Sequence, residues 1–483
     1  MKNRTKTKPT FEGEEGVTPI YDFISLGRLE NLIEEELDLF EERTAQSAEI
    51  HEKALEYFPQ GVGCSWHADS LNMARFPYPL YLKTAKDNKV VDADDNEYID
   101  FNMADTPDIF GHAPDNEVTR GIADHILNNG CNTFYPDANL LEAGRLLKER
   151  FGMPYWSFGL SATDANRYCI NLARIATGRP KILIFNGGYL GTIEDCSKWR
   201  PVPDGPIEWR TIKPLRPGED PSAVTEVIET NDLEALEEAL SNEDIALVLT
   251  EPYLTDSGFC FPEEGFHEGL RELCTKYGTY LLIDETHTQT SGPSGCKGLW
   301  DLKPDFWVTG KSIAAGISVG VYGFSEELKE HFEAHQEEFF SIIGASGFGT
   351  TTTGNPLAVK SLILSLQHNY TDETYGKMFA AADYLVSGLD AVIEKFQVPF
   401  RVEKMGARVL ISFTPDRCFS FEDAFRSIGK GGYHEFMTLY MTNRGILLLP
   451  HVGMLNICPQ TTTEDSDVFI SLFGEVIQKM LGE

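Results

Sequence analysis

The sequence predicts an α/β protein: a mostly parallel sheet forming a large domain, joined to a smaller α+β domain built from the N- and C-terminal segments. Three observations carry this. Short apolar runs alternate with segments of helical period in the middle of the chain, those segments end near a glycine, and beyond about residue 370 the pattern becomes a long helix followed by short strands. At 483 residues and 42% hydrophobic composition, the chain can bury a core large enough for two or three domains.

The elements follow in order. The stretch "ENLIEEELDLFEERTAQSAEIHEKALEYF" (30–58) has helical spacing and reads as a helix with a solvated acidic face. "LYLKTAKDNKVVDADDNEYIDF", ending at Phe101, reads as a β-meander with an Asp-Asn turn. With the preceding residues it makes up an expected N-terminal segment, 1–95. Residues 96–370 are the expected large domain. Its strands are "KILIFN" (181–186), "IALVLTEP" (245–252), "TYLLID" (279–284), "DFWVTG" (305–310) and "SVGVYGF" (318–324). Between them, "TDANRYCINLARIATG" (163–178), "DLEALEEALSN" (232–242) and "GFHEGLRELCTKYG" (265–278) read as crossover helices. Residues 371–483 form the expected smaller domain, with a long helix over 375–396, strands in "RVLISFTP" (408–415) and "RGILLLP" (444–450), and a closing helix.

Composition removes several classes of function. Forty-one basic against 75 acidic residues give a net charge of −34, which repels nucleic acid and anionic membrane. No run approaches the ~18 apolar residues of a membrane span, and the basic start has no apolar stretch behind it. Nine cysteines without a Cys-x-x-Cys pair suggest neither a disulfide framework nor a metal cluster, and point to a reducing, cytoplasmic setting.

Two residues ask for a chemical reading. Asp284 ends one apolar run and Lys311 follows another, and in an open parallel sheet the ligand crevice lies beyond the carboxyl ends of the strands. Alone, Asp284 could cap a turn and Lys311 could snorkel to solvent. Together they are the two groups that pyridoxal phosphate requires: an amine that forms a Schiff base and a carboxylate that keeps the pyridine nitrogen protonated. A phosphate site is offered by "LSATDAN", where the Ala162 and Thr163 N–H groups and the Ser161 and Thr163 hydroxyls open a helix, although Ser-x-Thr there is also an ordinary N-cap. A second hydroxyl cluster, "GTTTTGNPLA", also runs into a helix. In "FNGGYLG", a turn could bring Tyr189 over a flat ring.

In order, "VVDADDNEYIDF", "FGHAPDNEV", "LSATDAN", "GRPKILIFNGGYLG", "LTEPY", "LLIDETHT", "PDFWVTGKSIAAG" and "GTTTTGNPLA" make the chain resemble the class III, fold-type I pyridoxal-phosphate aminotransferases. The resemblance is to the branch holding glutamate-1-semialdehyde aminomutase and the β-amino-acid and amine aminotransferases. It covers roughly residues 55–480. It implies that Lys311 carries the cofactor, that Asp284 pairs with the ring nitrogen, that Tyr189 stacks on the ring, and that Ser161, Ala162 and Thr163 hold the phosphate. It also implies a homodimer with shared active sites, in which Thr351 reaches the partner's phosphate. Glu251 matches a carboxylate near the cofactor, with a structural hydrogen-bonding role as the alternative. His287 is either an orienter of Asp284 or a histidine packed under the cofactor.

This sequence departs from the pattern at Ala162, where glycine is usual, at Leu190, where histidine is usual, and at Thr286 and His287. Trp66, His67, Arg75 and His451 are the candidate substrate-pocket residues, and no arginine falls in the C-terminal loop "LLLPHVGMLN". A guanidinium is the usual two-point clamp for a carboxylate. The expectation is therefore an aminotransferase moving nitrogen by a ping-pong mechanism from an amine or a β- or ω-amino acid to a keto acid or aldehyde. The alternative is an aminomutase of the glutamate-1-semialdehyde type. A nucleotide-binding sheet protein finds no support in a Gly-x-Gly-x-x-Gly or Walker sequence.

Overall fold

The computed structural model describes residues 26–64, 66–67, 74–197, 223–334, 349–428, 432–450 and 453–482. The meander forms as read: β1 (Leu82–Lys86), β2 (Lys89–Asp92) and β3 (Glu97–Asp100) pair antiparallel, and the first hairpin turns at Asp87, whose φ is +55°. Aspartate is among the few side chains that tolerate this left-handed region.

Among the described residues the large sheet has seven strands: β4 (Tyr155–Gly159), β5 (Lys181–Phe185), β6 (Thr225–Ile228), β7 (Ile245–Thr250), β8 (Tyr280–Asp284), β9 (Phe306–Thr309) and β10 (Gly320–Phe324). Their order is β4-β10-β9-β8-β7-β5-β6, and β10 alone runs antiparallel to its neighbours. Every residue of β7, β8 and β9 is buried, as central strands covered on both faces require. On one face, the Ala162–Thr177 helix packs across β4, β7, β8, β9 and β10. The apolar-run pattern predicts neither the aromatic β4 nor the four-residue β6.

The smaller sheet, β11 (Arg401–Met405), β12 (Arg408–Ser412) and β14 (Met454–Asn456), is antiparallel. It lies beside the long Asp372–Phe396 helix, which packs on the closing Thr463–Leu481 helix. Of "RGILLLP", only β13 (Ile446–Leu447) pairs, parallel to β3, and so the C-terminal part completes the N-terminal sheet. The acidic N-terminal stretch splits into two helices, Leu26–Arg43 and Ala45–Ala54. The first buries Leu29, Ile33, Leu37 and Phe40 against the Tyr433–Asn443 helix. One acid of its otherwise solvated face is buried: Glu36 accepts from Asn443 Nδ2 (2.8 Å) and pairs with Arg444 (2.9 Å).

Candidate active site

Asp284 and Lys311 lie at the carboxyl ends of the adjacent parallel strands β8 and β9. The Asp284 carboxylate is buried. Asn166 Nδ2 donates to its Oδ2 (2.6 Å), and the Thr286 N–H and hydroxyl donate to its Oδ1 (2.8 and 2.6 Å). Burial pushes its pKa above the ordinary value, against those hydrogen bonds. Its neighbour Glu285 turns the other way, into the protein. There it accepts from Lys297 N (2.6 Å), Cys296 N (2.6 Å), Thr288 Oγ1 (2.9 Å) and Trp307 Nε1 (3.0 Å). One carboxylate of the pair faces the site and the other ties the loop after β8 to β9.

Lys311 begins a tight turn at φ +46°. The turn is fixed from behind by the Pro356–His368 helix and its C-terminal extension: Tyr370 Oη lies 3.0 Å from Ser312 Oγ, and Ser365 Oγ donates to Ser312 O (3.4 Å). The Lys311 ammonium contacts the Asp105 carboxylate and His287 Nε2. Thr255 Oγ1 donates to Glu251 Oε2 (2.5 Å), so the 2.7 Å contact between that hydroxyl and His287 Nδ1 has the ring donating. Burial and the Lys311 charge push the His287 pKa down, but Asp256 and Asp105 outweigh them and lift it to about 9. Glu251 therefore stands behind His287, 3.6 Å from Nδ1, and burial raises its own pKa.

The proposed phosphate site is a helix start pressed against the lysine loop. A Cβ on Gly310 would come within 3.0 Å of Ala162 Cβ and 3.1 Å of Ala162 N, so any other residue would have to push the helix start back by a few tenths of an ångström. Ser161 is the N-cap, its Oγ accepting from Asp164 N (3.2 Å), which leaves the first-turn N–H groups of Ala162 and Thr163 without intrahelical partners. Thr192 N donates to Thr163 Oγ1 (3.3 Å), locking the Gly-Gly-Tyr turn onto this helix. The Tyr189 ring faces His287 (centroids 6.1 Å, 21° between planes) and Trp66 (6.1 Å, 29°).

Trp66, Tyr189, His287 and Lys311 are thus brought together. His67 lies exposed beside Trp66. Arg75 directs its guanidinium to Glu30 (2.9 Å), Glu34 (3.2 Å) and Glu435 (3.6 Å) instead of to the Lys311 group. Thr351 sits exposed in the turn before the Pro356–His368 helix, and His451 lies outside the described residues. The sequence reading missed Asp105 and, behind it, Arg408, whose Nη2 is 3.4 Å from Asp105 Oδ1. No local motif announces either.

The donor set fits pyridoxal phosphate. Asn166 Oδ1 is buried without a partner in the structure, and Asp284 Oδ2 accepts one bond there, leaving acceptor capacity for a protonated ring nitrogen. The start of the Ala162–Thr177 helix lies against Gly310, next to Lys311. A lysine and a buried carboxylate at adjacent strand ends, beside a helix start with free first-turn N–H groups and in a mostly parallel seven-stranded sheet, define a pyridoxal-phosphate enzyme of fold type I.

The model of the aminotransferase class-III family matches residues 72–472, and the chain belongs to that family. It is 29% identical over 412 residues to the glutamate-1-semialdehyde 2,1-aminomutase of Persephonella marina, covering 84% of this chain and 92% of that one. It is 30% identical over 443 residues to that of Desulforapulum autotrophicum, covering 90% and 99%. Among solved structures, a glutamate-1-semialdehyde aminomutase from Pseudomonas aeruginosa superposes with a TM-score of 0.87 at 34% identity, covering 95% of this chain and 99% of that one. A variant of that enzyme in complex with PMP gives the same values. An omega-transaminase from Sphaerobacter thermophilus shares the fold, with a TM-score of 0.79 at 23% identity.

Proposed function

We propose that this enzyme catalyses amino transfer of the glutamate-1-semialdehyde aminomutase type, returning nitrogen to the carbon skeleton that supplied it. The observation that carries the reading is the similarity, over nearly the whole chain, to aminomutases in both sequence and structure. It reverses the order expected from the sequence, which put transfer between separate molecules first. That remains the second reading, supported by the absence of an arginine in "LLLPHVGMLN". Its donor would be an amine or amino acid and its acceptor a keto acid or aldehyde.

Pyridoxal phosphate, when bound, supplies an electrophilic carbon and a ring that takes up an electron pair. Lys311 holds the cofactor and, once released, its amine moves a proton between substrate carbon and cofactor carbon. Asp284 keeps the ring nitrogen protonated, Ser161, Ala162 and Thr163 hold the phosphate, and Tyr189 covers the ring. His287, backed by Glu251, orients the polar edge. Trp66 and His67 border the substrate, whereas Arg75, held by Glu30, Glu34 and Glu435, is left out of the pocket lining.

The working form is proposed to be a homodimer. Phe134 and Tyr135 are 87% and 80% exposed, and they follow Cys131, whose carbonyl accepts from Leu357 N (3.4 Å) just beyond the Thr351 turn. An exposed aromatic pair beside a hydroxyl cluster suits a partner subunit. A cytoplasmic setting belongs to the same proposal, and the nine cysteines, scattered without a Cys-x-x-Cys pair, are compatible with it. The division at residues 95 and 370 belongs to the same proposal.

The test is a single-turnover spectrum with product analysis. Glutamate 1-semialdehyde alone should give its rearranged isomer with no keto acid added. Release of one free carbonyl product per site from simple amines, with recovery only on adding a keto acid, would reject the mutase in favour of transfer between molecules.

A further inference from the structure

Asp105 has no part in the scheme above, yet it touches the reacting nitrogen. Its carboxylate contacts Lys311 Nζ and lies 3.5 Å from His287 Nε2 and 3.4 Å from Arg408 Nη2. The turn that presents it is strained, because Met103, Ala104, Asp105 and Thr106 all have positive φ (50°, 54°, 55° and 93°) without a glycine among them. Such conformations persist where the surroundings over-determine them, and they gather at functional sites. Here Asp100 Oδ1 accepts from Asn102 N (2.7 Å) and Met103 N (3.1 Å), Asn102 Oδ1 accepts from Asp105 N (2.7 Å), and Asn456 Nδ2 donates to Asn102 O (2.8 Å).

Arg408 backs the carboxylate. It is fully buried; among the described residues its Nε and Nη1 have no hydrogen-bond partner, and its ion pair is with Asp105. The other groups around the carboxylate are Lys311, His287 and the Tyr189 phenol, with Asp256 and Glu251 behind the imidazole. Burial pushes the Asp105 carboxyl up, but Lys311, His287 and Arg408 outweigh it and hold it well below the ordinary range. It is a fixed negative charge at neutral pH.

We propose that Asp105 determines the substrate class: it receives the reacting ammonium group and disfavours donors whose amine-bearing carbon also carries a carboxylate. The substrate nitrogen must take the position that Lys311 Nζ leaves, and Asp105 faces that position. An ammonium there gains the contact that Lys311 now makes. A carboxylate one bond from the amine-bearing carbon would lie close to Asp105; Arg408 is shielded behind it, the His287 imidazolium is already compensated by Asp105, Asp256 and Glu251, and like charges at such separations repel. Amines and amino acids whose carboxylate is remote from the amine escape the penalty. Glutamate 1-semialdehyde, whose amine-bearing carbon carries an aldehyde, also escapes it, so the inference holds under either reading of the reaction. It rests on Lys311 being the cofactor lysine.

The test uses the holoenzyme and Asp105→Asn, since asparagine keeps the size and tolerates positive φ. The first readout is the pH midpoint of the visible band of the Lys311-linked cofactor. Removing a negative charge beside that nitrogen should lower the midpoint by about one to three units. The second is the rate of band conversion by 4-aminobutyrate relative to its isomer 2-aminobutyrate. The wild type should favour 4-aminobutyrate by about a hundredfold or more, and Asp105→Asn should cut the preference about tenfold or more. An unchanged midpoint with an unchanged preference overturns the proposal. So does a wild type that takes both isomers equally, a result that stands even if the variant fails to hold cofactor. Failure of wild-type protein to acquire the band at all would instead overturn the assignment of Lys311.

Discussion

Glu285→Gln should destabilise the protein by about 2 to 4 kcal/mol although Glu285 faces away from the reacting groups. The wild-type carboxylate is fully buried and accepts four hydrogen bonds, two on each oxygen. An amide must turn one of those positions into a donor. Facing Lys297 N and Trp307 Nε1 it would orphan two fixed N–H groups, so it should face Thr288 and Cys296, where the hydroxyl can rotate and accept. That leaves the Cys296 N–H unpaired in the interior, at a cost of about 1–3 kcal/mol. The bonds from Lys297 N and Trp307 Nε1 also lose their charge assistance, roughly 1 kcal/mol more between them, and relief of the buried charge offsets part of the sum. By differential scanning calorimetry of the holoenzyme, the apparent melting temperature should fall by about 2–7 °C. Thr288→Val, which deletes a single donor, should cost only about 1 kcal/mol. A Glu285→Gln loss below about 1 kcal/mol, or one smaller than that of Thr288→Val, would refute the account of Glu285 as the tie between β8 and β9.

Two further outcomes are expected. Lys311→Ala should lose the borohydride-reducible link to the cofactor and fall by orders of magnitude in turnover while still folding; mass spectrometry of the reduced protein checks this, and a surviving link would mean that another lysine carries the cofactor. His112 lies 2.8 Å from Asp100 Oδ2 and 3.1 Å from Asp108 Oδ2; burial pushes its pKa down, but the two carboxylates lift it to about 9, above the ordinary value of 6.5. Because the folded-state value is the higher one, its stabilisation is complete below about pH 6.5 and is lost as pH rises through about 9. The stability gap between wild type and His112→Gln should therefore narrow by about 1–2 kcal/mol between pH 6 and 9.5, with allowance for solvent screening, and a gap that widens with pH would contradict the pairing.

The elements read most directly from the sequence were those whose side chains reflect their own burial. β5, β7, β8, β9 and β10 are apolar runs because both of their faces are covered, and the Ala162–Thr177 helix announces itself through its Ser161 cap and its Gly178 end. β4, "YWSFG", contains no aliphatic residue, and as an edge strand it is only half-buried, so the same rule passes over it. β6 spans four residues at the opposite edge and gains its identity from pairing with β5. β13 failed in the other direction. "ILLLP" has the apolar character of a strand, yet only Ile446 and Leu447 find a partner, because β3 offers them so short an edge.

The site divides along the same physical line. Asp284, Lys311 and Ser161 stand at the ends of regular elements, where sequence position implies spatial position. Asp105 reaches Lys311 across 206 residues and Arg408 across 303, by way of a left-handed turn that its residue types do not favour. Its meaning is created by what arrives from elsewhere: a lysine from β9, a histidine from the loop after β8 and a guanidinium from the other sheet. Arg408 in turn looks like one more polar residue on β12 until β12 is placed against the 103–106 turn. An arginine in the C-terminal loop would meet the substrate directly. The one that the fold brings to the site stays buried and acts on the carboxylate that meets the substrate in its place.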